Sequence, residues 1–343
     1  MLRMLVGLLS AAMSAGSCLP ARAVEVDQAL IDAAKKEGRV VWYTTLVVNQ
    51  FVRPAAEAFE RKYGIKVDYV RADSPEVTQR IIAEAKAGKV QSDISDGFST
   101  APLIREGYVE RWHTESMHRL PNGFFDPEGA WIASNINVLT PGFNTELVPR
   151  GTEPKSYDDL LDPKWRGKMA WSSLGSSSSA NGFVGSVLTF MGQEKGTAFL
   201  QKLAKQDIAN VAAGARQVMD QVIAGEYPIA LQMFNKHAVI SAAQGAPAGW
   251  IPMLPMTVVL NVDSLTANAP HPNAGKLFLS FLLSQEGQEL FRDTDYIPAD
   301  PKVPPRDPSL VPKDFKSGAV TLSPNDLDAA MPKWSTLYRS MFK

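Results

Sequence analysis

Between Ala29 and Gly97 helix-type and strand-type segments alternate, and that order restricts the fold more than any other feature of the chain. Ala29–Glu37 reads as a short helix closed by Gly38, and Val40-Val41-Trp42-Tyr43 as a buried strand of β-branched and aromatic residues. The segment from Val52 to Tyr63 places Ala55, Ala56, Phe59 and Tyr63 at helical spacing and stops at Gly64. Ile65–Val70 then alternates as a strand does, Glu76–Ala87 is helical, and Ser92–Asp96 is a third short strand leading into Gly97. A β-α-β-α-β order implies a parallel sheet with helices on both faces, because parallel strands need crossover connections that pack back on the sheet. Ligands of such sheets sit at the carboxyl ends of the strands.

The pattern resumes after a long strand, Trp131–Phe143, which contains Pro141 and Gly142 and suits a crossing between two lobes. A second α/β set follows: helix Ser156–Leu161, strand Lys168–Trp171, helices Gly182–Met191 and Glu194–Ala204, strand Ile208–Val211, helix Gln217–Ala224 and strand Pro228–Met233. Trp250–Leu265 reads as a return strand broken by Pro252 and Pro255. Helices Asn273–Leu282 and Ser284–Phe291 come next, then a Pro-rich stretch and a last helix near Pro324–Phe342. No repeat of solenoid or propeller length is visible.

Met1–Ala23 has the form of a secretory signal, with Arg3, an apolar run from Met4 to Met13 and Ala21-Arg22-Ala23 before the expected new terminus at Val24. The apolar run is shorter than the about 20 residues a membrane span needs. Cys18, the only cysteine, lies inside the signal without the leucine a lipoprotein site carries, so the mature chain is expected to have neither a disulfide nor a thiolate. What remains of the 343 residues is long enough for two cores. Losing Arg3 and Arg22 leaves a net charge of −3, which argues against a nucleic-acid partner.

Four segments carry a family likeness. They are Val41–Thr44 with Ala58–Val67; Ser156–Lys168, which includes Asp162-Pro163-Lys164-Trp165-Arg166-Gly167 and is the most specific; Val222–Ala230; and Ala269–Phe278 with Leu283–Gln288. Together they resemble the type II periplasmic binding proteins of ABC importers, in the extracellular solute-binding branch that includes ferric-iron binders. The resemblance implies two doubly wound α/β lobes joined by two crossing strands, with a small solute held in the cleft and the lobes hinging closed over it. It divides the chain into a signal peptide (1–23), an N-terminal lobe (24–135 and 260–300) and a C-terminal lobe (136–259 and 301–343). It further implies a periplasmic monomer that delivers its solute to a membrane permease and ATPase, catalyses nothing and needs no cofactor or resident metal.

Iron-binding members of this branch place a tyrosine pair after the segment matching Gly225-Glu226-Tyr227-Pro228, and here that position holds Asn235 and Lys236, neither of which supplies a phenolate. Hydroxyls and amides take their place: Thr44 and Thr45 after the first strand, Ser99 and Thr100 after the third, and Ser172, Ser173, Gly175, Ser176 and Ser177 in the loop that runs to Asn181. Such a loop can aim N–H groups and hydroxyls at an oxyanion on the helix N-terminus, or simply cap that helix. Arg216 could clamp a carboxylate, phosphonate or phosphate, or lie on a solvated helix face. Tyr43, Gln232, Phe234 and Asn235 would add a stacking wall and amide hydrogen bonds. A small polar, anionic organic solute is therefore the first expectation and ferric iron or an iron chelate the second. A secreted hydrolase or sensor on the same scaffold comes third, because fold does not fix function. The serine run has no Gly-x-Ser-x-Gly elbow around it, and His113, His118, His237 and His271 form no zinc motif.

Overall fold

The structure is a computed structural model that describes residues 26–342 apart from Ser99 and Asp314. The signal sequence, Cys18 and the terminus expected at Val24 lie outside the described residues. In chain order, the first half contains α1 (Gln28–Glu37), β1 (Arg39–Thr44), α2 (Arg53–Tyr63), β2 (Lys66–Arg71), α3 (Ser74–Lys86), β3 (Ile94–Gly97), α4 (Ala101–Arg105), β4 (Val109–Glu110) and the long β5 (Ile132–Asn144). Then come β6 (Met169–Ser172), α5 (Ala180–Met191), α6 (Gln193–Leu203), β7 (Ala209–Val211), α7 (Ala215–Ile223), β8 (Ile229–Phe234), α8 (Asn235–Ala243), β9 (Ala248–Trp250) and β10 (Met256–Thr266). The chain closes with α9 (Pro272–Leu282), α10 (Gln285–Asp293), β11 (Ile297–Pro298), α11 (Phe315–Gly318), β12 (Ala319–Leu322) and α12 (Pro324–Met341).

Local chemistry sets many of these boundaries. Asp27 caps α1 by accepting from the Leu30 amide at 2.8 Å, and Gly38 ends that helix at φ 72°, where a side chain would be strained. Ser323 and Asp326 exchange hydrogen bonds in a capping box at the start of α12. Two expectations change. Ser156–Leu161 forms only a single 3-10 turn at Asp158–Leu161, because Asp159 turns back to accept from the Lys155 and Ser156 amides. The return strand divides into β9 and β10, since Pro252 and Pro255 have no N–H to give a ladder.

One path of hydrogen-bonded strands runs β2-β1-β3-β10-β5-β8-β6-β7 through the molecule. The outer strands are parallel to their neighbours within each half, whereas β10 runs antiparallel to β3 and β5, and β5 antiparallel to β8. This is the type II periplasmic binding architecture, with β5 and β10 as the two crossings. β5 gives Ile132, Ala133, Ile136 and Val138 to one core and Leu139 and Phe143 to the other. The first core gathers Trp42, Phe51, Phe59, Phe278 and Phe291, with Phe51 and Phe291 stacked at 3.8 Å. The second gathers Trp171, Phe183, Leu200, Trp334 and Tyr338. A smaller apolar layer lies elsewhere in each half, around Ile81 and Leu103 in one and Val218 and Met219 in the other. Leu310 packs into the first core, while Val320, Leu322, Leu327 and Trp334 pack into the second.

Candidate functional site

The carboxyl ends of β1 and β3 face the carboxyl ends of β6 and β8 across the gap between the two cores. A cavity of about 460 Å³ opens there, walled on one side by Ser74, Pro75, Phe98 and Pro102 and on the other by Gly175, Ser176, Ser177 and the α12 residues Leu327, Asp328, Met331 and Ser335. Phe98 reaches over to pack against the second core. Ser74 approaches Gly97 so closely that a Cβ there would lie 2.6 Å from its Oγ, and that oxygen accepts from the Phe98 amide at 2.9 Å. Arg105 of α4 forms an ion pair with Asp328 of α12, so a charge contact joins the two halves at the rim. A larger groove of about 930 Å³ between α5 and α12 belongs to one half only.

The structure sorts the residues expected from the sequence into three groups. Gly175, Ser176 and Ser177 line the cavity. Ser172, Ser173, Gln232, Thr44 and Thr45 shape its walls through bonds to the protein itself. Ser172 Oγ accepts from the Leu174 amide, Ser173 donates twice to the Val211 carbonyl, and Gln232 Nε2 donates to the Ser177 carbonyl at 3.3 Å. Thr44 is fully buried, and its hydroxyl accepts from the Leu46 amide. Thr45 donates both its amide (2.9 Å) and its hydroxyl (2.6 Å) to Asp96 Oδ1. Ser179 turns out to be the α5 cap, accepting from the Asn181 amide, so part of the serine loop is indeed a capping device. Thr100 is buried ahead of α4, where its carbonyl accepts from the Leu103 amide, and Ser99 lies outside the described residues.

Three more of the expected residues are engaged within the protein. The Tyr43 ring packs with Val77, Ile81 and Leu103; its hydroxyl donates to Glu84 at 2.6 Å and the Arg80 guanidinium sits 4.7 Å over the ring. Burial pushes its pKa up to about 12, with Glu84 adding to the effect. Strand alternation turns the Tyr43 ring toward α3. Arg216 pairs with Asp220 one turn along α7 at 2.7 Å, half exposed, which is the solvated-face alternative. Asn235 is buried and spends its amide on the Leu310 carbonyl at 2.7 Å.

Sequence reasoning singled out position 236 but assigned it no role. Lys236 stands in the first turn of α8, immediately beyond β8, and projects across the gap. Its Nζ lies 4.4 Å from the centre of the Tyr296 ring and 5.9 Å from that of Phe234. Tyr296 in turn accepts from the Val47 amide at 3.1 Å, in the loop after β1. Among the described residues no carboxylate forms an ion pair with Lys236, and desolvation pulls its pKa down to about 8. Phe234 is half-buried and stands edge-on to His237. Beneath Thr45, Asp96 on β3 and Asp263 on β10 are cross-strand partners, both buried. Among the described residues, Asp96 Oδ2 and both Asp263 oxygens have no hydrogen-bond partner. Burial first, then the charge of Asp96, raises the Asp263 pKa well above the usual carboxylate range.

A cavity at facing strand ends, between halves tied by two crossing strands, defines a protein that encloses a small solute. A sequence profile of the bacterial extracellular solute-binding proteins matches residues 54–318, and the chain belongs to that family. It is 23% identical over 307 residues to a putative 2-aminoethylphosphonate-binding periplasmic protein of Salmonella typhimurium, covering 85% of each chain. Among solved structures, the periplasmic binding protein AfuA of Actinobacillus pleuropneumoniae, with exogenous fructose-6-phosphate bound, superposes with a TM-score of 0.70 at 22% identity over 88% of this chain and 99% of that one. Iron-bound HitA of Pseudomonas aeruginosa superposes at 0.67 with 20% identity, over 88% and 99%. These two likenesses establish the fold.

Proposed function

We propose that the chain captures a small anionic organic solute between its lobes in the periplasm and delivers it, as a monomer, to the permease and ATPase of an ABC importer, without catalysis. The observation that carries the anionic reading is the lysine without a carboxylate partner, next to Asn235, where iron-binding members of the family present a tyrosine pair. A cation there repels a bare ferric ion and suits an oxyanion. The serine and glycine wall at Gly175–Ser177, in a separate cavity that shares no lining residue with the one at Lys236, offers hydroxyls and amides to a polar solute. The Salmonella relative named for 2-aminoethylphosphonate and the fructose-6-phosphate complex of AfuA point to the same chemistry. We take the lobes to be 24–135 with 260–300 and 136–259 with 301–343, hinged at β5 and β10, with Leu310 on the first lobe's side.

Thermal unfolding of the mature protein across phosphonates, phosphate esters, carboxylates, amino acids, sugars, ferric salts and ferric citrate tests this. A ligand at 100 times its dissociation constant adds about 2.7 kcal/mol, enough to raise the midpoint by several degrees. A rise with one anionic class is the expected result. A rise confined to ferric salts or the chelate would replace it with the iron reading.

A further inference from the structure

We propose that the Asp96–Asp263 pair stores a proton that fastens the loop after β1 to the floor of the cleft, and that loss of this proton opens the loop to water. The device stands by itself; only its effect on a bound solute rests on the capture function proposed above.

Side chains of cross-strand partners stand about 5 Å apart on one face of a sheet, and β3 and β10 bring two buried carboxylates together in this way. Asn261, two residues before Asp263 on β10, shares that face; its Nδ2 donates to Asn135 Oδ1 at 3.0 Å and to Asp96 Oδ1 at 3.4 Å. Its own Oδ1 is buried and, like Asp96 Oδ2 and both Asp263 oxygens, has no partner among the described residues. Buried acceptors with no donor among them leave the cluster short of a hydrogen, and a proton on Asp263 supplies one. The ionisable groups around the pair are few. Each aspartate faces the other, and Asp96 also acts on Tyr296. Arg71, which acts on Tyr296 as well, pairs with Asp73 at 2.9 Å.

Asp96 Oδ1 holds the loop down, since it accepts both the amide and the hydroxyl of Thr45. When Asp263 gives up its proton, a second buried charge faces Asp96, and only water can relieve it. The crossings resist moving, because β10 is laddered to β5 from Thr257 to Asp263 and to β3 from Val262 to Leu265. Thr45 is half-buried and Val47 exposed, whereas Ser134, Asn135 and Asn261 are buried, so water enters from the loop and takes the proton. With the loop closed, Asp263 titrates well above the carboxylate range, through burial first and then the charge of Asp96. With the loop open and the group hydrated, it returns to an ordinary value of about 3.9. The closed loop therefore binds more protons and is favoured in acid; between those two values opening grows about tenfold per pH unit. Thr45 shapes the cleft wall, so a captured solute loses part of that wall as the loop opens.

The experiment is amide hydrogen exchange, read by NMR, on mature wild type and Asp263→Asn without solute at about pH 5, 6 and 7, each rate divided by that of an unstructured chain. Neighbouring groups are silent over this range. Lys236, lowered by burial to about 8, stays charged; His237, lowered to about 3, stays neutral; and Tyr296, raised by burial, keeps its proton. In wild type the protection of the Thr45 and Val47 amides is expected to fall about tenfold per pH unit while staying below that of Ile136 in β5. In Asp263→Asn it is expected to be the same at all three pH values. Constant protection in wild type, or an equal slope in the variant, overturns the device. Protection at Thr45 equal to that at Ile136 also overturns it, because the proton then leaves only on global unfolding. Infrared spectra of wild type labelled with ¹³C-aspartate give a check that needs no variant: absence at pH 7 of a protonated-carboxyl band that shifts with the label overturns the stored proton.

Discussion

Replacing Asp263 by asparagine should stabilise the protein at neutral pH and do almost nothing in acid. Asp263 and Asp96 face each other across the β3–β10 ladder, 1% and 3% exposed, and three of their four oxygens lack a donor. Asp96 is the better supported, because Thr45 gives it two hydrogen bonds and Asn261 a third at 3.4 Å. Ser134 favours ionised Asp263 slightly, but its hydroxyl also turns to Asn135, and burial prevails. Asp263 therefore keeps its proton in the folded state, whereas the unfolded side chain releases it above a pKa near 3.9. The unfolded state binds fewer protons, so stability falls as pH rises from about 4 toward the raised folded pKa. Holding a proton that the unfolded chain gives up costs the folded state stability throughout that interval. Asparagine has no such proton to hold, and its amide can donate to the open Asp96 Oδ2. The midpoint should rise by a few degrees at pH 7 and by little at pH 4.5, in thermal unfolding of wild type and variant run side by side. An equal gain at both pH values, or a loss at pH 7, would refute the proton-holding pair.

Arg216→Ala should leave solute affinity unchanged and stability within about 0.5 kcal/mol, because its exposed pairing with Asp220 contributes little; titration calorimetry checks the first and thermal unfolding the second. Asp328→Asn removes the rim contact with Arg105 and should speed solute release a few-fold at low salt, a difference that fades at 0.5 M salt in stopped-flow traces.

Strand and helix placement was legible because it depends on periods of two and 3.6 residues within short windows, as in Val40–Tyr43 or Ala55–Phe59. Their boundaries in the structure differ by a residue or two. The exceptions, Ser156–Leu161 and the divided return strand, turn on a local carboxylate and on prolines. Residue type likewise marked Gly175–Ser177 and position 236. What no local window contains is the partner of each polar group. Tyr43 and Thr45 are equally attractive in the sequence, yet one meets Glu84 and Arg80 on α3 and the other meets Asp96 beneath the cleft. Arg216 was open to an anion or to a solvated face and pairs with Asp220 in the structure, while Lys236 had no visible role until the fold brought it over Tyr296. By itself the sequence determined the order of elements, since hydrophobic periodicity and turn chemistry act between near neighbours, and its likeness to the type II periplasmic binding proteins supplied the two crossings and the solute-binding class. Only the tertiary structure decided which polar groups remain free for a ligand, because that depends on contacts between residues tens to hundreds of positions apart.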